Sequence, residues 1–312
     1  MKSYGLNLKR KLYAHLISLA EGKFKVRLLL YLLFLIIISC STVQHSGKDK
    51  IFMWKITSGK ATVYLLGSIH IARQNLYPLD KKIENAFDGS DNLVVEININ
   101  NVKPLELLKK AMYQDSNTLE MNVSKETFDL LKEKFAQFKI PITNFNKVKP
   151  WLAATILIDM ELKANGYDEK YGIDKHFLDK ADEKRILELE TADEQMNLFD
   201  DIDKFPDDFV KYSLEDMKNT VENVDELYNA WEKGDTKTFE ELMNIPNENE
   251  PNLKEILKKL FDDRNKKMES KIENFLENGG KYFVVVGAGH IIGNKGIIKL
   301  LNDKGTYKIE QL

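Results

Sequence analysis

The spacing of hydrophobic and polar positions changes along this chain of 312 residues. Two segments rich in aromatic and β-branched residues, 52–56 and 61–66, flank a short polar turn, and this pattern predicts a β-hairpin. Pro78 suits the start of a helix, which we expect over 79–87. The apolar segment 93–97 then predicts a short strand. Strand, helix and strand in this order indicate an α/β arrangement.

The middle of the chain has mainly the three-to-four-residue spacing of helices, with one short strand expected over 185–189. Helices are predicted over 103–114, 124–138, 150–165, 174–182, 206–233, 235–244 and 252–278. Strand pattern returns at 281–286 and 307–310, with a helix over 293–302 between them. The predicted fold class is therefore α/β (α+β), with a central mixed β-sheet built from N- and C-terminal segments. The large helical portion at about 100–280 would be an insertion.

The N-terminus has a different pattern. Residues 28–38, LLLYLLFLIII, follow a basic stretch and are too short to span a bilayer comfortably, which is typical of a secretion signal. The run ends in IISC, which resembles a bacterial lipobox whose cysteine, Cys40, is lipidated. The alternative is a free or buried thiol that follows an uncleaved anchor. We expect a lipoprotein signal peptide over 1–39, a tether over 40–50 and one folded domain over 51–312. The protein would then be exported and lipid-anchored in the bacterial cell envelope, at the outer membrane if the cell has one.

The charge balance changes once this leader is set aside. Residues 1–39 hold seven Lys or Arg and one Glu, which leaves 39 Lys or Arg, 48 Asp or Glu and a net charge of −9. A protein of this charge repels phosphate backbones, so we expect no nucleic-acid partner. Hydrophobic residues make up 43% of the chain, enough for an ordinary globular core.

Two strand-end loops have the same form, G-x-x-H. His70 and His290 each follow an apolar strand in this motif, and Glu96 ends a third apolar strand. Ends of strands are where open α/β sheets place ligand sites. Two histidines and one carboxylate form a common ligand set for a divalent metal that activates water. Each residue alone also fits a structural role, as a turn histidine or an ion-paired carboxylate, but the repetition favours a site.

The second loop also fits another class of site. Residues 287–293 contain G-x-G-x-x-x-G between a strand and a helix, and Glu310 follows about twenty residues later. This pattern resembles a dinucleotide-binding fingerprint. The match is weak, because little chain follows Glu310 for the remaining strands of a conventional nucleotide domain.

The order of several short motifs over nearly all of 51–312 resembles the TraB/PrgY/GumN family, distant relatives of the TIKI metal-dependent peptidases. The motifs are WKI and YLLGSIH within 54–70, the strand ending at Glu96, KPW at 149–151, YGIDKHFL at 171–178, LET at 189–191 with Glu194-Gln195, Arg264-Asn265 and VVVGAGHIIG at 284–293. The wider superfamily also contains haem-binding proteins and erythromycin esterases, so a fold alone does not fix the reaction.

The resemblance implies roles for particular residues. His70, Glu96 and His290 match the metal or catalytic positions of the family. Asp174 and Glu190 match recurrent polar positions that orient a histidine ligand or contact substrate.

Arg264 matches a further recurrent position, where an arginine binds a carboxylate or stabilises an oxyanion. A salt-bridged helix surface is the alternative for these three polar positions. For His176, inside a predicted helix, we expect a structural or substrate-facing role.

The function expected from these residues and this resemblance is that of a metal-dependent hydrolase, a peptidase acting on a peptide or protein substrate. Glu96 would be a metal ligand or the general base, and Mn²⁺, Co²⁺ and Zn²⁺ are all candidate metals; no H-E-x-x-H motif occurs. The alternatives are a non-catalytic lipoprotein that sequesters peptides and a haem- or metal-binding module. The membrane would be a partner only through the lipid anchor.

Overall fold

The computed structural model describes residues 50–312 apart from 183, 216, 218 and 244–250. The predicted signal peptide, Cys40 and all but the last residue of the predicted tether lie outside the described residues, so these expectations stay predictions. Within the described residues, no helix is both long enough and apolar enough to cross a membrane.

A mixed six-stranded β-sheet forms the centre of the described chain, in the order β4-β3-β5-β2-β1-β6. Its strands are β1 Met53–Thr57, β2 Ala61–Ser68, β3 Asn92–Val95, β4 Arg185–Glu188, β5 Gly280–Gly287 and β6 Lys308–Gln311. β4, β3, β5 and β2 run parallel to one another, whereas β1 is antiparallel to both β2 and β6. The predicted fold class is confirmed, and the helical middle adds the edge strand β4 to the sheet.

The N-terminal hairpin shows why these residues pair as they do. Ser58 Oγ accepts hydrogen bonds from the N–H groups of Lys60 and Ala61, and Gly59 has a φ of +81°, a conformation that favours glycine. This turn fixes the register in which Trp54 lies opposite Leu65. The apolar side chains of both strands are then buried together in the core.

The helices surround this sheet. They are α1 Lys81–Asp88, α2 Pro104–Ala111, α3 Lys125–Gln137, α4 Pro150–Ala164, α5 Ile173–Asp179, α6 Ala192–Ile202, α7 Pro206–Glu215, α8 Thr220–Glu232, α9 Thr236–Met243, α10 Pro251–Leu257, α11 Asp263–Asn278 and α12 Ile297–Asp303. A π-helical turn, Lys258–Asp262, joins α10 to α11. Helix α11 packs against β2 and places its residues beside the ends of the central strands.

Several predicted boundaries were wrong. The helix expected over 206–233 is two helices, α7 and α8. Helix α6 was not predicted, although Thr191 and Glu194 form a capping box at its start. The helix expected from 293 begins only at Ile297, because Gly293 has a φ of +87° and its carbonyl accepts the Gly296 N–H in a turn.

Candidate functional site

His70, Glu96 and His290 lie around one glycine. β3, β5 and β2 are adjacent and parallel, so the three residues that follow them meet at one edge of the sheet. A Cβ atom added to Gly287 would lie 3.1 Å from His70 Nε2, 3.3 Å from Glu96 Oε1 and 3.5 Å from His290 Cδ2. The structure therefore brings the three residues together, around a position where an added methyl group would be crowded.

A carboxylate holds His70 from behind. The His70 Nδ1 atom lies 2.6 Å from Asp174 Oδ2, and Ser68 Oγ donates to Asp174 Oδ1 at 2.9 Å. Because an ionised carboxylate can only accept, Nδ1 carries the proton, and in the neutral form of the ring Nε2 presents its lone pair to the site. Burial acts to lower the pKa of His70, but the adjacent Asp174 outweighs it, and the net pKa is raised. His70 Nε2 is buried and has no hydrogen-bond partner among the described residues.

Glu96 is a buried carboxylate with partners on both oxygens. Oε1 accepts the Gly287 N–H at 2.7 Å. Oε2 accepts from Arg264 Nη2 at 2.7 Å and from Gln195 Nε2 at 3.3 Å. These contacts offset the cost of burying the charge. They also occupy the Gly287 N–H with a carboxylate, which argues against a phosphate at this loop and hence against the dinucleotide alternative.

Arg264 contacts Glu96, Glu190 and the second histidine, His290. Its Nε and Nη2 donate to Glu190 Oε1 and Oε2 at 2.9 and 2.6 Å, in a bidentate pair. Its Nη1 lies 3.1 Å from the Leu260 carbonyl and 3.0 Å from His290 Nε2. Burial opposes the charge, but the two carboxylates outweigh it and raise the pKa of Arg264. Arg264 thus belongs to the buried site rather than to a salt-bridged surface.

His290 has a neutral amide behind its ring, whereas His70 has a carboxylate. Its Nδ1 lies 2.6 Å from Asn265 Oδ1, and its ring lies 5.2 Å from the Phe261 ring, centroid to centroid. Burial, followed by the nearby Arg264 charge, holds the pKa of His290 well below its usual range. A neutral imidazole is the form that can bind a metal through nitrogen.

The buried cluster has more acid than base. Glu96, Glu190 and Asp174 are three buried carboxyl groups, and Arg264 is the one guanidinium among them. With the carboxyl groups ionised and both histidines neutral, the formal charge of this set is −2. Buried charge without compensation is costly, so the cluster favours a proton or a cation beside these groups.

A small cavity opens onto the two histidines. Its volume is about 20 Å³, which is room for about one water molecule. His70 and His290 line it together with Phe239, Met243 and Phe261. The lining of the cavity therefore combines the polar strand-end residues with apolar side chains from helical segments.

The candidate ligands do not stand as a preformed metal centre. Among the residues that the structure describes, no group of three or more His, Cys, Asp or Glu side chains is arranged to hold a metal ion. The reason is local: Arg264 bonds both His290 Nε2 and Glu96 Oε2, and His290 Nε2 is 3.9 Å from Glu96 Oε1. His70 Nε2 and the space at Gly287 nevertheless suit an ion, because a nitrogen donor is held there by a carboxylate behind it.

Two residues in the site had no predicted role. Gln195, on α6, donates to both Glu96 and Glu190, and Asn265, on α11, contacts His290. His176 lies elsewhere: its Nε2 is 3.2 Å from Glu84 Oε1, on the contact between α5 and α1.

The chain is similar to one family of known proteins over most of its length. The sequence profile of the TraB/PrgY/gumN family matches residues 52–311, nearly the whole described chain. The chain belongs to the TraB/PrgY/gumN family. The resemblance that the motifs indicated is therefore confirmed. No solved structure matches the chain.

Three relatives illustrate the range of this similarity. The chain is 23% identical to the uncharacterized protein YbaP of Escherichia coli over 249 residues, 78% of the chain and 89% of YbaP. It is 22% identical to an uncharacterized protein of Treponema pallidum, over 58% of each chain. It is 21% identical to the metalloprotease TIKI homolog of Amphimedon queenslandica, over 86% of the chain and 63% of that protein. The matches thus cover less than two thirds of the treponemal and sponge proteins.

Proposed function

We propose that this protein is a metal-dependent hydrolase that acts on peptides, with its site at His70, Glu96 and His290. The observation that carries the proposal is the hydrogen bonding of the two ring nitrogens of His70. Its Nε2 is buried and unpartnered among the described residues, while a carboxylate fixes Nδ1 behind it. This is the arrangement in which proteins present a histidine to a metal. The sponge relative named as a metalloprotease supports the same class of reaction.

The excess of buried carboxylates supports a cation at this site. With both histidines neutral, a divalent ion would offset the formal charge of −2, and it would supply Lewis-acid activation of water and of a substrate carbonyl. Glu96 Oε1 faces the same space, where it would serve as a ligand or accept the proton of the attacking water. Mn²⁺, Co²⁺ and Zn²⁺ remain the candidates, since oxygen and nitrogen donors suit all three.

Arg264 would have a second task during the reaction. Its guanidinium lies beside both Glu96 and His290, so it brings a fixed positive charge to the place where an oxyanion would develop. Arg264 Nη1 also forms a hydrogen bond with His290 Nε2 and so occupies that nitrogen. His290 can therefore bind an ion only if Arg264 Nη1 exchanges that contact.

The test uses the purified full-length protein and two matched histidine variants. The metal content is measured by mass spectrometry, and a peptide library is screened for cleavage with and without Mn²⁺, Co²⁺ or Zn²⁺. We expect metal-dependent cleavage that His70→Ala abolishes and His176→Ala leaves largely intact. If His70→Ala kept the metal content and cleavage of the wild type, the proposal would be wrong. A wild type that binds peptides tightly without metal or cleavage would instead indicate sequestration, and a haem absorption band would indicate a haem module.

We also propose that the protein is a lipoprotein anchored through Cys40 in the bacterial envelope. The basis is the basic leader, the apolar run 28–38 and the sequence IISC. Cys40→Ser should abolish labelling by a radioactive or alkyne-tagged fatty acid and release the protein from the membrane fraction. Unchanged labelling in that variant would exclude the assignment.

A further inference from the structure

The amide of Asn265 has a defined orientation. Its Nδ2 lies 2.9 Å from the carbonyl oxygen of Lys295, a group that can only accept a hydrogen bond. The amide oxygen, Oδ1, is therefore the atom that faces His290 Nδ1 at 2.6 Å. Asn265 and His290 are both almost completely buried. The backbone of the loop after β5 thus fixes the amide, and the amide in turn fixes the ring.

Two independent contacts define the tautomer of His290. Asn265 Oδ1 is an acceptor, so His290 Nδ1 must carry the proton. Arg264 Nη1 is always a donor, so His290 Nε2 must present a lone pair. Both contacts require the same neutral form, with the lone pair on the ring nitrogen nearer Glu96.

The two G-x-x-H histidines therefore share a tautomer but differ in what supports it. Asp174, a carboxylate, accepts from His70, whereas Asn265, a neutral amide, accepts from His290. A carboxylate that accepts from one imidazole nitrogen makes the other nitrogen a stronger metal ligand. A neutral amide in the same place has a smaller effect. A carboxylate at position 265 would also add negative charge to a buried cluster that already has more carboxylates than positive groups.

We propose that Asn265 is a positioning residue that holds His290 as the neutral Nδ1–H tautomer and makes it the exchangeable member of the histidine pair. Arg264 Nη1 holds His290 Nε2 in the structure, and His290 gives up this contact when its lone pair is taken by a cation. His70 has no such competitor among the described residues and stays directed at the site. The exchange on cation binding rests on the proposed function; the tautomer does not.

The tautomer is measured directly by NMR. Long-range ¹H–¹⁵N spectra of metal-free, full-length protein with ¹⁵N-labelled histidine distinguish a protonated from an unprotonated ring nitrogen. We expect His290 to show a protonated Nδ1 and an unprotonated Nε2. In Asn265→Ala the His290 signals should move towards those of a tautomer mixture, while the His70 signals keep their positions. Asn278→Ala, which removes an exposed amide from the same helix, is the matched control and should change neither.

Asn265→Asp separates positioning from support of the fold. The carboxylate keeps an acceptor for His290 Nδ1 but loses the donor to Lys295, so it should preserve the Nδ1–H tautomer that Ala loses. If Asn265 only stabilised the loop, Asp would be at least as harmful as Ala, because a carboxylate would then face the Lys295 carbonyl. A protonated Nε2 in the wild type, or unchanged His290 signals in Asn265→Ala, would overturn the proposal. Should the Ala variant fail to fold, the wild-type and Asp spectra still decide it.

Titration with Zn²⁺ tests the exchange. We expect Zn²⁺ to shift the His290 Nε2 signal of the wild type, and Asn265→Ala to bind Zn²⁺ roughly 10–100-fold more weakly. A Zn²⁺-bound wild type whose His290 signals do not move would contradict the exchange. If Zn²⁺ did not bind at all while the tautomer was as expected, the proposed function would fail and the positioning by Asn265 would stand.

Discussion

Gly287→Ala places a methyl group at the meeting point of the three candidate residues. The backbone there has a φ of −51° and a ψ of 135°, so alanine needs no change of conformation. The new Cβ would lie 3.1 Å from His70 Nε2 and 3.3 Å from Glu96 Oε1. These contacts are a few tenths of an ångström too short, so the surrounding side chains must shift slightly.

The expected cost to stability is small and the expected cost to function is large. Overpacking costs about 1–3 kcal/mol, and the reduced entropy of the unfolded chain returns ~0.4–1 kcal/mol. The net effect should lower the melting temperature by roughly 2–4 °C for each kcal/mol lost. Misplacing catalytic groups by a fraction of an ångström to 1 Å, in contrast, costs up to about 10²-fold in rate.

The assay compares Gly287→Ala with Gly89→Ala, a glycine at the end of α1. Gly89 also has a negative φ, −79°, and its added Cβ would lie 3.1 Å from the Asn85 carbonyl oxygen, so the crowding is similar but remote from the site. Thermal unfolding is followed by circular dichroism, and metal content and peptide cleavage are measured on the same samples. We expect both variants to stay folded and only Gly287→Ala to lose metal and cleavage. A folded Gly287→Ala variant with the metal content and cleavage of the wild type would show that the site does not need the space at Gly287.

Three further changes test other parts of the structure. Arg264→Ala should destabilise the protein by about 3–5 kcal/mol, because Glu96 and Glu190 would be left buried without their partner; urea unfolding measures this, and a change below about 1 kcal/mol would contradict the account. Deleting 281–312 removes β5 from between β3 and β2, so we expect no cooperative unfolding transition, and a cooperatively folding fragment would show that the sheet does not need it. Trp231→Phe removes a buried N–H bonded at 2.6 Å to a β2 carbonyl and should cost about 1–3 kcal/mol by the same urea assay; an unchanged midpoint would show that this bond adds nothing.

The positions of His70 and His290 at strand ends could be predicted from the sequence, because the pattern that indicates them is local. An apolar strand followed by Gly-x-x-His specifies both an element and the point at which it ends, and parallel strands then bring such ends together. For this reason His70 and His290, far apart in the chain, can be paired from the amino-acid sequence alone. The same local patterns at the two ends of the chain predict that the terminal strands share one sheet.

The groups supplied by helices were harder to predict. Asp174, Glu190 and Arg264 were expected near the site only from the family resemblance, and Asn265 and Gln195 had no assigned role. Their positions depend on how the helices dock on the sheet, which the spacing of apolar residues along one helix does not determine.

The boundaries that were wrong have physical reasons as well. Neither Pro nor Gly separates α7 from α8, so the local pattern contains no signal for a break. Helix α6, in contrast, had a readable signal in its capping box. The signal peptide and the lipid anchor fall outside the described residues and stay predictions.

Anomalous diffraction can show whether a metal binds between His70, Glu96 and His290. Crystals of the protein grown with Mn²⁺ or Zn²⁺ are measured at the absorption edge of the metal, beside crystals of His70→Ala grown in the same way. We expect one strong anomalous peak bounded by His70 Nε2, Glu96 and His290, and no peak there in the variant. A wild-type map without a peak at this position, or a peak that persists unchanged in His70→Ala, would contradict this expectation.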